Sequence, residues 1–202
     1  MTGNSHDSSD SVYRIPDPAF SAMAFLFRIR DRLYPPENKV TRFGIKSGMT
    51  VVDYGCGPGG YLDSAARLAG PEGIVYAVDI HERAIESVSK RITKTGQHRI
   101  IPVLAEGYNS GLATGSADLV YALDMFHMVP DTASFLKELL RITKPDGILI
   151  IDDGHQPRDR TRQIITGSGL WDIISEEKAF LRCTPDIGMK KEGDSDVSSP
   201  SL

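Results

Sequence analysis

Residues 51–60, Val-Val-Asp-Tyr-Gly-Cys-Gly-Pro-Gly-Gly, decide the fold. A β-branched run closes on an acid, glycines stand at positions 55, 57, 59 and 60, and a helical pattern, Tyr61-Leu62-Asp63-Ser64-Ala65-Ala66-Arg67-Leu68, begins at once. Strand, tight glycine turn and helix make the layout that cradles a nucleotide-type cofactor. Gly55 and Gly57 have no Cβ, so the backbone can turn sharply and approach a ligand closely. The helix start offers unpaired N–H groups to an anionic group. Asp53, Tyr54, Gly55, Gly57 and Gly59 are therefore the first expected cofactor contacts.

Gly55, Gly57 and Gly60 also satisfy the dinucleotide pattern G-x-G-x-x-G, so the glycines alone leave the cofactor open. Asp53, two places before the first glycine, discriminates. A dinucleotide sets a pyrophosphate at this turn, and a carboxylate about 4 Å from a phosphate charge costs roughly 4 kcal/mol at an effective dielectric near 20. S-adenosyl-L-methionine (SAM) has no phosphate; it carries an ammonium and a sulfonium, which an acid suits. The spacing Asp-x-Gly-x-Gly-x-Gly favours SAM.

The chain has 202 residues, 40% of them hydrophobic, which is enough for one α/β domain with a sizeable core. The net charge of −4 and the lack of a Lys/Arg run speak against a nucleic-acid surface. The polar N-terminus has no apolar segment of signal-peptide type, and no apolar run approaches membrane-spanning length. Two cysteines, Cys56 and Cys183, make no disulfide framework. These features predict a cytoplasmic protein without a membrane span or a nucleic-acid partner; they leave its oligomeric state open.

Residues 1–12 and 186–202 are polar and predict disordered tails. Between them, 13–185 reads as one domain. N-terminal cap helices are expected over about 17–44, the first at Ala19–Leu33, with Met23, Phe27 and Tyr34 placed to meet an apolar acceptor. Strands are expected at Thr50–Tyr54, Ile74–Asp79, Ile100–Leu104, Leu119–Asp124 and Ile148–Asp152, the last after a turn at Pro145-Asp146-Gly147. Helices are expected at about 59–69, 81–95, 131–142 and 157–166. Trp171–Ser175 and Lys178–Arg182 read as a closing hairpin turning at Glu176-Glu177. Alternating strands and helices predict an α/β, Rossmann-like, mainly parallel sheet covered on both faces.

In such sheets ligands sit at the carboxyl ends of the strands. Asp79, closing the second strand, can accept both ribose hydroxyls of an adenosine, with Ile80 on the adenine face. Glu106 can reach the adenine edge, helped by a backbone N–H of its loop. Leu123 and Asp124 close the fourth strand beside the cofactor. His127 and His155, just past strands four and five, are candidate general bases if the acceptor must lose a proton, with Asp124 and Asp153 placed to orient them.

Asp53-Tyr-Gly-Cys-Gly-Pro-Gly, Asp79, Ala105-Glu106, Ala117-Asp118-Leu119-Val120 and the run from Leu139 to Gly147 together resemble the class I SAM-dependent methyltransferases. The resemblance covers about residues 37–182 and leans to the small-molecule branch that includes ubiquinone and menaquinone C-methyltransferases. It implies a seven-stranded sheet ordered 3-2-1-4-5-7-6 with strand seven antiparallel. It also implies ribose binding at Asp79 and adenine contact at Ile80 and Ala105-Glu106. It does not carry a substrate over, and the short chain lacks a large insertion for a lid. Catechol O-methyltransferase-like enzymes hold Mg²⁺ with acids placed as Asp124, Asp152 and Asp153 are. The flanking sequence does not match that group, and no metal is expected. The rival functions are a nicotinamide-dependent oxidoreductase, which Asp53 opposes, and a non-catalytic SAM-binding protein.

Overall fold

The computed structural model describes residues 16–20, 22–24, 26 and 37–188. The expected tail 1–12, residues 189–202 of the expected C-terminal tail, and Phe27 and Tyr34 lie outside the described residues. Residues 17–20, 22–24 and 26 are helical (α1). In chain order there follow α2 (Glu37–Val40), β1 (Thr50–Tyr54), α3 (Leu62–Ala69), β2 (Ile74–Asp79), α4 (Glu82–Thr95), β3 (Ile100–Leu104), β4 (Ala117–Ala122), a 3₁₀ turn (Phe126–Met128), α5 (Thr132–Ile142), β5 (Thr143–Ile151), α6 (Arg158–Gly167), β6 (Trp171–Glu177) and β7 (Phe180–Pro185).

The strands form one sheet in the order β3-β2-β1-β4-β5-β7-β6. β1, β2, β3, β4 and β5 pair in parallel, and β7 runs antiparallel to both of its neighbours. This is the expected seven-stranded arrangement. Successive side chains of a strand face opposite sides, so the sheet buries two layers. Val51 of β1 packs with Leu62, Ala65 and Ala69 of α3 and Val88 of α4. Val52 and Tyr54 pack with Phe135, Leu136 and Leu139 of α5 and Ile165 of α6. Among the described residues no helix is long and apolar enough to cross a membrane.

Three expected boundaries are corrected. β4 ends at Ala122, not Asp124, because Asp124 takes a left-handed backbone (φ 61) that cannot continue a strand. β5 begins at Thr143: Ala117 pairs with Thr143 and Leu119 with Ile148, so residues 144–147 bulge out opposite Asp118 instead of forming a separate turn. Asp118 accepts the Thr50 N–H at 2.8 Å and the Lys144 ammonium at 2.5 Å, and so ties the bulge into the sheet. The hairpin turns at Lys178-Ala179, since Glu176 and Glu177 still pair across to Leu181 and Phe180.

Candidate active site

The loop after β1 folds back on β2. Gly55 and Cys56 both donate their N–H to Val78 O, at 2.7 and 3.0 Å. The N–H of Gly57 instead reaches a side chain, Asp79 Oδ2, at 2.9 Å. The other Asp79 oxygen accepts the His81 N–H at 2.8 Å. One carboxylate therefore joins the glycine loop to the start of α4. Burial raises the Asp79 pKa, while the two N–H donors favour the charged form. His81 caps α4, with Nδ1 accepting the Arg83 N–H at 3.2 Å.

Beside this loop opens a cleft. Gly55, Gly57, Asp79, Ile80 and His81 form one wall. Gly107 and Tyr108 come from the loop after β3, and Leu123, Asp124, Met125, Met128, Val129 and Pro130 from the loop after β4. Phe20 and Met23 of α1 close over it. Phe20 stacks on the His81 ring with centroids 4.1 Å apart, and Asp17 pairs with Arg83 at 3.0 Å. Asp79 and Asp124 are acidic, and no Lys or Arg is among the described lining residues, so the wall favours a positively charged guest.

The glycines divide by task. A Cβ on Gly57 (φ 50) would meet nothing within 4 Å and would point into the open cleft. A Cβ on Gly55 would lie 2.9 Å from Met125 Cγ, and one on Gly59 would lie 2.9 Å from Leu62 Cδ1. Gly57 leaves open space at the cleft wall, whereas Gly55 and Gly59 keep space for the protein's own side chains.

Several expected contacts are relocated. Asp53 lies beneath the loop, 2% exposed, and does not line the cleft. It pairs across β1–β4 with Tyr121, whose hydroxyl favours the ionised carboxylate without completing a hydrogen bond; Asp53 Oδ2 is left buried and unpartnered. Burial, first, and then the neighbouring Asp79 and Asp124 push the Asp53 carboxyl well above the usual range. The acids facing the cleft are Asp79 and Asp124, so the charge argument built on Asp53 belongs to them. Ala105 packs in the core, and Glu106 is exposed, its backbone paired with Asn109. Gly107 and Tyr108 of the same loop line the cleft instead. Tyr54 lines the cleft as expected, its hydroxyl donating to Tyr108 O at 2.5 Å, and Tyr108's hydroxyl accepts the Asp131 N–H at 3.1 Å.

His127 and His155 do come together, edge to face, with ring centroids 4.8 Å apart, but neither lines the cleft. His127 Nδ1 is buried without a partner, facing Gly154, where a Cβ would approach it to 2.0 Å. Burial and His155 lower the His127 pKa, opposed by Asp152 and Asp124. Asp153 does not orient a histidine: its carboxylate grips Arg158 Nε at 2.8 and 2.9 Å, and Arg158 reaches on to Glu177 O. Among the described residues no group of three or more His, Cys, Asp or Glu is arranged to hold a metal ion.

A family model described as a methyltransferase domain matches residues 52–151, from β1 to the end of β5. The chain belongs to the class I SAM-dependent methyltransferases. This membership decides against the nicotinamide-dependent alternative. The methyltransferase is 26% identical over 138 residues to a demethylmenaquinone methyltransferase of Geobacillus stearothermophilus, covering 68% of this chain and 59% of that protein. It is 35% identical over 115 residues to a 2-methyl-6-phytyl-1,4-hydroquinone methyltransferase of Synechocystis, covering 56% of this chain and 34% of the relative. It thus spans less than two thirds of the length of either relative. Its fold matches a SAM-dependent methyltransferase of Aquifex aeolicus with a TM-score of 0.71 at 24% identity, covering 85% of this chain and 97% of that one.

The family's cofactor is SAM, and the cleft fits it. Gly57 leaves the space that a side chain would fill, Asp79 offers two carboxylate oxygens, and the acidic wall suits a cationic ligand.

Proposed function

We propose that this methyltransferase moves the methyl group of SAM to an apolar small-molecule acceptor, a phenol or hydroquinone. The observation that carries this reading is the lining of the cleft, in which glycine backbone and the Asp79 carboxylate share the wall with Met23, Met125, Met128, Val129 and Pro130. The polar groups would hold the cofactor and the methionines an apolar ring, since thioether side chains pack adaptably against aromatic faces. The names of the two quinone-type relatives support the acceptor class.

SAM supplies a methyl group already activated on a sulfonium. Asp79 would accept the ribose hydroxyls, Ile80 and Tyr108 would flank the adenine, and Asp124 would face the cationic end. Met125 and Met128 would exclude water and orient the acceptor. Holding two reactants in line supplies most of what such a transfer needs. With His127 and His155 off the cleft wall, positioning is the mechanism we assign. A cytoplasmic setting without nucleic-acid substrates goes with this reading, supported by the acidic net charge of −4 and by two buried, unpaired cysteines.

The test is a screen of labelled SAM against hydroquinones, naphthols, phenols, amines and thiols. Label transfer to the aromatic hydroxyl compounds is expected. Transfer only to amines or thiols contradicts the acceptor class. SAM binding without transfer to any of them favours a non-catalytic SAM-binding protein.

A further inference from the structure

Asp124 is the one non-glycine residue among those described that holds a positive φ, and it does so on the cleft wall. Left-handed backbone at a side-chain-bearing residue persists only where surrounding contacts impose it. The Asp124 N–H is held by Asp152. Asp152 Oδ1 accepts the Asp124 N–H at 2.9 Å and the Gly154 N–H at 3.1 Å, and Oδ2 accepts the Lys39 ammonium at 2.6 Å. Asp152 is 4% exposed and does not line the cleft.

The contacts close a circuit. Asp124 Oδ2 accepts the Tyr61 hydroxyl at 2.9 Å, and Tyr61 caps α3 directly after the glycine loop. The Lys39 ammonium in turn lies 5.9 Å from the centroid of the Tyr61 ring. Four residues from α2, the start of α3 and the ends of β4 and β5 thus fix one another. A buried carboxylate bonded to a cation and two N–H groups is a rigid anchor, because each donor lost would leave buried charge uncompensated.

We propose that Asp152 is a positioning residue for the reaction. It imposes the left-handed turn that aims the Asp124 carboxylate into the cleft, and through Lys39 it ties that aim to α2. The proposal rests on the cleft being the cofactor site. Lys39 also makes α2, the element that follows the N-terminal segment covering the cleft, part of the same assembly.

The test is calorimetric titration with S-adenosylhomocysteine of the wild type, Asp152→Ala, Asp124→Ala and the double variant, with circular dichroism to show folding. Asp152→Ala is expected to weaken binding about tenfold or more. The double variant should bind no more weakly than the weaker single, because Asp152 acts through Asp124. Asp152→Asn keeps an oxygen for both N–H groups but loses the charge facing Lys39, so its affinity should fall between those of the wild type and Asp152→Ala. Wild-type affinity in Asp152→Ala, or losses that multiply in the double variant, would overturn the proposal. If Asp152→Ala does not fold, Lys39→Met is the variant to read: weakening of about threefold or more is expected, and unchanged affinity overturns the coupling. A wild-type protein that binds no S-adenosylhomocysteine would contradict the cofactor site itself, which is a separate result.

Discussion

Asp79 Oδ2 accepts the backbone N–H of Gly57 at 2.9 Å, twenty-two residues away in sequence. In the reading proposed above, the bond joins the carboxylate that would meet a ribose to the backbone that would clear room for the cofactor. The second Asp79 oxygen is committed to His81 N–H, so the carboxylate cannot rotate away from the cleft.

Replacing Asp79 by Ala should weaken binding of SAM and S-adenosylhomocysteine by about 1.5–3 kcal/mol, roughly ten- to a hundredfold. The protein should stay folded, because Asp79 sits at a strand end beside the cleft. Titration calorimetry on a variant of native circular dichroism checks this; unchanged affinity would show that the ribose lies elsewhere.

Gly57→Val and Gly55→Val should fail differently. At Gly57 the new side chain meets no protein atom within 4 Å and projects into the cleft, so the variant should fold and lose cofactor binding. At Gly55 the Cβ collides with Met125 Cγ at 2.9 Å, so melting temperature should fall as well. Both positions have positive φ, which adds a strain of about 1–2 kcal/mol to each variant. Paired thermal melts and titrations read the difference. Equal melting temperatures with intact binding in Gly57→Val would remove Gly57 from the site.

Asp53 should make the free protein's stability pH-dependent in a direction opposite to an ordinary ion-paired acid. Burial raises its folded pKa well above the ordinary carboxylate value of about 3.8. Between the unfolded and folded pKa values the native state binds more protons than the unfolded state. The stabilisation is therefore complete below about pH 3.8 and is lost as pH rises towards the folded pKa. Asp53→Asn removes the burial cost of the charge, so it should raise the melting temperature at pH 7, with the gain shrinking as pH falls towards 4. A variant less stable than the wild type at pH 7 would mean that the ionised carboxylate is compensated.

His127→Ala separates positioning from base catalysis. The account expects intact cofactor affinity and a modest loss of turnover, under about tenfold and flat with pH. General-base action would instead give a loss of about a hundredfold or more that shrinks as pH rises. Turnover measured from pH 6 to 9 on the best acceptor decides between them.

Much of the fold was legible because local signals agreed. β1, β2 and β3 each end where an apolar run meets a turn, and their bounds match. β4 and β5 were misjudged because non-local bonds set their ends: Asp152 holds Asp124 out of the ladder, and Asp118 gathers Thr50 and Lys144 around a bulge. At the site, Asp79, Ile80 and Gly57 were readable from their spacing. Tyr108 was not, because its loop is folded back by distant residues: Glu138 takes Ser110 N–H at 2.9 Å and Arg141 reaches Leu112 O at 2.8 Å. Met125 and Met128 gave no polar signal at all. Asp153 looked available only because its partner, Arg158, lies across a loop whose geometry spacing does not reveal.

The central claim is that the cleft between Gly57, Asp79 and Asp124 takes SAM. Calorimetric titration of the wild-type protein with S-adenosylhomocysteine and, separately, with NADH tests it most directly. Saturable binding of S-adenosylhomocysteine at one site per chain, lost in Gly57→Val, and no heat from NADH are expected. Binding of NADH that Gly57→Val abolishes, or no binding of S-adenosylhomocysteine by a folded wild-type protein, would contradict it.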